Sequence, residues 1–273
     1  MEIFHQGKQA GQGLKKEDNN DLIFDSGTFC RQCYYIPDLQ KIVSLTKSLT
    51  EGKIILKLMR ESLNDNNISR RTALKELQQI EGGDPFKILI ATILSARSRD
   101  ENTKKVVKML FSKFRDIEEF SKADLGVIRQ LIHSIGFYNV KALRIKQVVR
   151  VLSDKYNGSV PSNLQDLLSL PGVGRKTANC VLVYGFKKAA IPVDVHVHRV
   201  SNRLGIVKTK KPEETELKLY DIFDERYWTQ VNDTFVAYGQ NICLPIKPKC
   251  SLCKLRKICK FYKNSSGSYP SSS

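Results

Sequence analysis

The chain is short of several things. No apolar run approaches the eighteen or so residues needed to cross a bilayer, so a membrane-spanning helix is not expected. The N-terminus carries no apolar h-region, and Glu2, Glu17, Asp18 and Asp21 are at odds with an acid-poor transit peptide. The expected setting is therefore cytoplasm or nucleoid, or a nucleus if the source is eukaryotic. Acids are scarce: 28 Asp and Glu stand against 45 Lys and Arg, giving a net charge of +17 and a pI near 9.6. From Cys243 onward there is no acid at all. This imbalance favours a polyanionic partner, because each neutralised phosphate releases counterions. Strand-like alternation and internal repeats are missing as well, and the single tryptophan, Trp228, reads as core packing.

Seven cysteines, an odd number, read as metal ligands and free thiols rather than a disulfide framework. Hydrophobic residues make up 41% of 273, enough for one large core or two ordinary ones. Residues 1–52 are polar and rich in Gly, Gln and Asn, and are expected to form a loosely ordered extension. Residues 263–273 read as a disordered tail.

Between these ends the patterns are helical. Asp84 and Pro85 make an N-cap and first turn before FKILIATIL, which is apolar enough to be a buried helix. Val106, Val107, Leu110, Phe111 and Phe114 follow a helical stripe. Ser121 with Asp124 resembles a capping box for a helix with Leu125, Ile128, Ile132 and Ile135 on one face. Ser162 with Gln165 opens a short helix ending at Leu170, and another runs from about Arg175 to Phe186. The expected fold is all-α, with one helical domain over residues 84–190. A cysteine loop is too small to hold a core, so residues 53–83 and 191–262 are expected to form a second domain around it. The groove between them is the natural place for a substrate.

Residues 170–178 read LPGVGRKTA. Gly172 and Gly174 free the turn for conformations closed to other residues. The backbone around Gly172, Val173, Gly174 and Arg175 can then approach a phosphate, at the positive end of the following helix. Such a contact positions DNA without reading its sequence. The bland alternative is an ordinary helix–helix turn. Lys176 falls in the first turn, where the helix dipole and Arg175 should push its pKa down, toward the neutral amine a Schiff-base nucleophile needs. The commoner role of such a lysine is phosphate binding. Asp194, eighteen residues beyond Lys176, reads as an N-cap. At the rim of a groove it can also stabilise positive charge on a sugar and help move protons. His196 and His198, two residues apart, point to different faces of a helix and are not read as a metal pair.

Cys243, Cys250, Cys253 and Cys259 span seventeen residues, close enough to surround one metal centre. Zinc and an iron–sulfur cluster both accept four thiolates, and spacing alone leaves the choice open. Lys247 and Lys249 in the first intercysteine loop suggest a basic surface for DNA. Cys30 and Cys33 lack two further nearby ligands and read as a dithiol, while Cys180 fits a helix core.

LPGVGRKTA, then VDVHVHRV from Val193 to Val200, then the four-cysteine loop together resemble the endonuclease III family. These are DNA glycosylases of the helix-hairpin-helix superfamily with a Gly/Pro-rich loop and an essential aspartate. The likeness runs from about Gly82 to Tyr262. It implies Lys176 as nucleophile, Asp194 as its catalytic partner and a [4Fe-4S] cluster on the four cysteines. It also implies two duplex-opening loops, matching Ser95–Asp100 and Gly136–Ala142. The usual gap-filling glutamine is Arg97 here, and the usual wedge leucine is Phe137. A guanidinium can serve an orphaned base and an aromatic ring can intercalate. Asp100 is expected to cap the next helix.

The resemblance thus implies a monomeric, bifunctional glycosylase and abasic-site lyase. Its substrate would be double-stranded DNA carrying oxidised pyrimidines or abasic sites. The rivals are a mismatch-directed glycosylase, in which tyrosine or serine often replaces the lysine, and a non-catalytic DNA-binding module with a structural metal.

Overall fold

The computed structural model describes residues 39–68, 76, 82–96, 98 and 100–265, with backbone alone for 39–50, 100 and 101. Cys30, Cys33, Arg97 and the Asp100 side chain, all singled out in the sequence, lie outside the described residues. The helix α1 (Leu39–Asp65) begins within the stretch expected to be a polar extension, so the boundary at residue 52 falls inside a helix. Ile55, Leu56, Met59 and Leu63 recur at helical spacing along it and are all buried.

The next helix, α2 (Pro85–Ser95), is buried on every side from Ile88 to Leu94. Its start is fixed as the sequence predicts: Asp84 accepts from the Phe86 and Lys87 amides at 2.7 and 3.2 Å, and Pro85 needs no donor of its own. The same core takes in α3 (Asp100–Lys113), α4 (Ile117–Lys122), α5 (Leu125–Leu131), α6 (Tyr138–Tyr156), α7 (Leu164–Ser169) and α8 (Arg175–Cys180). A π turn, Val181–Gly185, continues α8. Phe120 anchors this core, its ring 5.3, 5.5 and 5.1 Å from those of Phe86, Phe111 and Phe114 in edge-on or tilted contacts.

Two capping expectations shift. Ser121 lies inside α4 and donates to the Glu118 carbonyl, so Asp124 caps α5 alone. Asn163, not Ser162, caps α7, accepting from the Asp166 amide at 2.9 Å. In each case the Asx residue stands immediately before the first helical residue, where a cap reaches the N2 or N3 amide, while the serine stands farther back.

A second core gathers α1, α9 (Val195–Leu204), α10 (Pro212–Ile222), α11 (Trp228–Asn241) and Leu255 from the cysteine loop. The short α12 (Lys260–Ser265) follows, carrying helix three residues into the expected tail. The chain passes from the first core to the second between Ala190 and Ile191. Trp228 is partly buried against Tyr220 and donates to the Phe223 carbonyl at 2.7 Å. Gly239 lets α11 press on α9, since a Cβ there would sit 2.9 Å from that of His196. Among the described residues no strand occurs, and no helix is long and apolar enough to cross a membrane.

Candidate active site

The hairpin is built by α7, a tight turn and α8. Leu170 ends α7, the Val173 amide bonds back to its carbonyl at 3.1 Å, and Val173 itself is buried as the anchor. Gly172 has φ +70, a conformation in which other residues are strained, and Arg144 from α6 fills the space where a side chain would stand. Gly174 differs from expectation. Its φ of −94 is open to any residue, and nothing lies within 4 Å of where a Cβ would be. The missing side chain therefore serves access to the backbone rather than the turn.

The wall between the two cores holds a cavity of about 540 Å³ lined by Lys176 and Asp194. Lys176 comes from the first turn of α8, on the first core, and no carboxylate pairs with it among the described residues. Asp194 is the N-cap of α9, on the second core, and its Oδ1 accepts the His196 and Val197 amides, both at 2.9 Å. Its Oδ2 keeps no protein partner among the described residues. One oxygen holds the helix and the other is uncommitted among the described residues. Beneath the pair lies the buried Cys180 thiol, whose pKa burial pushes up, while the charge of Lys176 pulls it down and that of Asp194 pushes it up again.

Four residues missed in the sequence tie the two cores together. Glu216 of α10, 2% exposed, takes a bidentate pair from Arg175 at 2.9 and 2.7 Å, which raises the guanidinium pKa further. The Arg175 side chain is thus committed to protein, and the charge expected beside Lys176 is compensated. Tyr184, in the π turn, donates to Asn232 at 3.0 Å and Asp233 at 2.7 Å of α11. Asn232 in turn donates to the Pro192 carbonyl at 2.7 Å, two residues before Asp194. His198 bonds Thr215 at 2.7 Å while His196 lies against Arg199, on separate sides of α9 as their spacing predicts.

The remaining DNA-binding candidates lie farther along the surface. Phe137 is 61% exposed at φ +60, immediately ahead of α6. Lys247 and Lys249 are both exposed in the cysteine loop.

The profile of the HhH-GPD superfamily base excision DNA repair protein matches residues 90–225. Endonuclease III of Thermotoga maritima is 51% identical over 180 residues, covering 66% of this chain and 84% of that protein. The chain belongs to the endonuclease III family. A trapped covalent intermediate of an endonuclease III with DNA superposes with a TM-score of 0.70 at 35% identity, over 79% of this chain and 98% of that one. A thermostable thymine-DNA glycosylase follows at 0.66 and 28%, with the same coverage.

In this member of the endonuclease III family the four cysteines line one small cavity of about 20 Å³ with Leu204, Ile242 and Phe261. Tyr238 donates to the Cys253 sulfur at 2.7 Å and Arg203 to that of Cys243 at 3.7 Å. Burial pushes the pKa of Cys250, Cys253 and Cys259 up as free thiols. Among the described residues, no three potential ligands converge on a point the size of one ion.

Proposed function

We propose that this chain is a base-excision-repair DNA glycosylase and abasic-site lyase that removes oxidised pyrimidines from duplex DNA through a lysine Schiff base. The observation that carries the reading is the meeting of Lys176 and Asp194 at one cavity, each delivered by a different core. A target base is unreachable within the stack, so its nucleotide must swing into the cavity while Phe137 wedges the gap. The hairpin backbone from Gly172 to Arg175 grips the phosphates and holds the sugar beside Lys176.

The Lys176 amine, once it has given up its extra proton, attacks C1′ of the sugar, forming a C–N bond as the C1′–base bond breaks, and the base leaves with its electron pair and takes up a proton. Asp194, through Oδ2, offsets the positive charge developing on the sugar and accepts the proton shed by the amine. Ring opening leaves an iminium between C1′ and Nζ. Loss of a C2′ proton then expels the 3′ phosphate, cutting the strand, and hydrolysis frees Lys176.

For the cofactor, the four cysteines support a [4Fe-4S] cluster. Zinc and a [4Fe-4S] cluster both accept four thiolates, and membership of the endonuclease III family favours the cluster. The cluster would act as a staple that shapes the loop bearing Lys247 and Lys249, with no part in proton movement. Double-stranded DNA with damaged bases or abasic sites is the partner, and the protein works as a monomer in cytoplasm, nucleoid or nucleus.

The test is Lys176→Gln. Borohydride trapping on a duplex with an abasic site is expected to vanish while duplex binding stays within a fewfold of wild type. Undiminished trapping sinks the reading. Excision from a thymine glycol duplex but not from a G·T mismatch separates this activity from that of a mismatch enzyme.

A further inference from the structure

Lys141 is buried at 4% exposure, in the first turn of α6. Its ammonium donates to the Leu94 carbonyl at 2.8 Å, across 47 residues of sequence. That carbonyl belongs to the last turn of α2, where helix acceptors have no intrahelical donor and the negative end of the dipole favours a cation. One residue later the chain becomes Ser95 and Ala96, which with Ser98 line the reaction cavity. At its other end, the Lys141 amide donates to the Phe137 carbonyl at 3.0 Å. Phe137 itself stands exposed in the left-handed region, a strained placement for a bulky aromatic.

A single residue therefore joins the exposed ring to the cavity rim: ring, amide, ammonium, carbonyl, Ser95. We propose that Lys141 is a positioning residue for duplex opening, locking the Phe137 wedge to the rim at Ser95–Ala96 through one buried hydrogen bond. The inference rests on the lyase reading above. Packing alone gives no reason for a charge here. Methionine fills the same space without the desolvation that pulls this lysine's pKa down to about 8, with Arg144 adding repulsion. Wedge and rim must advance on the duplex together. An error of about 1 Å in such placement is enough to cost roughly a hundredfold in rate.

The experiment uses the full chain with Lys141→Met, and compares two substrates. One is a fully paired duplex with thymine glycol, which needs opening. The other carries an abasic site in a bulge, already unstacked. Excision from the paired duplex should fall about 10- to 100-fold, and the fluorescence of 2-aminopurine beside the lesion should lose its extrusion signal. Borohydride trapping on the bulge should stay within about twofold. On a Phe137→Ala background, Lys141→Met should add no further loss, whereas independent roles would multiply. Equal losses on both substrates, or multiplying losses in the double variant, would overturn the proposal. Lys141→Gln, whose amide falls short of Leu94, gives the same comparison if the methionine variant does not fold. Wild-type protein that fails to trap on the bulge refutes the lyase reading instead, so the two failures are distinguishable.

Discussion

Arg175 and Glu216 meet in a two-pronged ion pair that ties the lysine-bearing helix α8 to α10 of the opposite core. The pair is lopsided: Glu216 is 2% exposed and Arg175 33%. Truncating either partner is therefore not equivalent. Arg175→Ala strands a buried carboxylate and should lower stability by about 3 kcal/mol, whereas Glu216→Gln leaves a guanidinium that can turn to water and should cost roughly half as much or less. Urea unfolding midpoints of the two variants check the order.

Asp194 caps α9 through Oδ1, its proposed catalytic role falls to Oδ2, and asparagine keeps the first while losing the second. Asparagine caps a helix as well as aspartate, so Asp194→Asn should hold stability within about 0.5 kcal/mol. It carries no charge to offset and accepts no proton, so single-turnover excision should drop by about 100- to 10,000-fold. Asp194→Ala should lose the cap too, about 1 kcal/mol. Melting temperature and excision rate, measured on the same samples, decide it.

Tyr184 links the π turn to α11 through Asn232 and Asp233. Tyr184→Phe keeps the ring and removes one donor from two buried acceptors, at an expected cost of about 1–3 kcal/mol. Because Asn232 also holds the Pro192 carbonyl, the loss should reach catalysis, as a lower kcat with unchanged binding of abasic duplex.

Lys141 gives the protein a pH-dependent contribution of definite sign. Its pKa in the folded chain lies near 8, below the ordinary 10.5, because burial penalises the ammonium. Below pH 8 both folded and unfolded chains are protonated there and the penalty is present in full. Between 8 and 10.5 the unfolded chain binds the extra proton, so stability from this group rises with pH. The melting-temperature advantage of Lys141→Met over wild type, if any, should shrink across that window. An advantage that grows would contradict the assignment.

For the cysteine loop, Cys253→Ser removes one thiolate and the partner of Tyr238. Purified anaerobically, the variant should carry little iron and sulfide, and unfold at lower temperature than wild type, as expected when metal binding is coupled to folding. Full iron content would show that four thiolates are not required.

Much of this was legible in the chain. The hairpin, Lys176, Asp194 and the cysteines are local motifs, and their geometry follows from turns, caps and short loops. Asp84 and Asp194 were readable as caps for the same reason. The clasps across the cavity were not. Glu216 sits among the acids of PEETE, where nothing marks one glutamate as buried, and Tyr184 resembles any aromatic of an apolar helix. Their partners lie 41, 48 and 49 residues away. Lys141 was in plain view within GFYNVKA, yet a lysine in a basic chain looks like surface until its burial is seen. The start of α1 was hidden by the polar composition around it, although its stripe from Ile55 to Leu63 keeps helical spacing.

The helix α9 has the Asp194 carboxylate at its first end, while Arg199 and Arg203 farther along reach the Cys243 and Leu244 carbonyls at 3.1 and 2.5 Å. Ten residues make a rod of roughly 15 Å, too short to bend and clamped on α11 by Gly239. A displacement of the loop carbonyls held by Arg199 and Arg203 is therefore expected to reach the Asp194 carboxylate through a single stiff element.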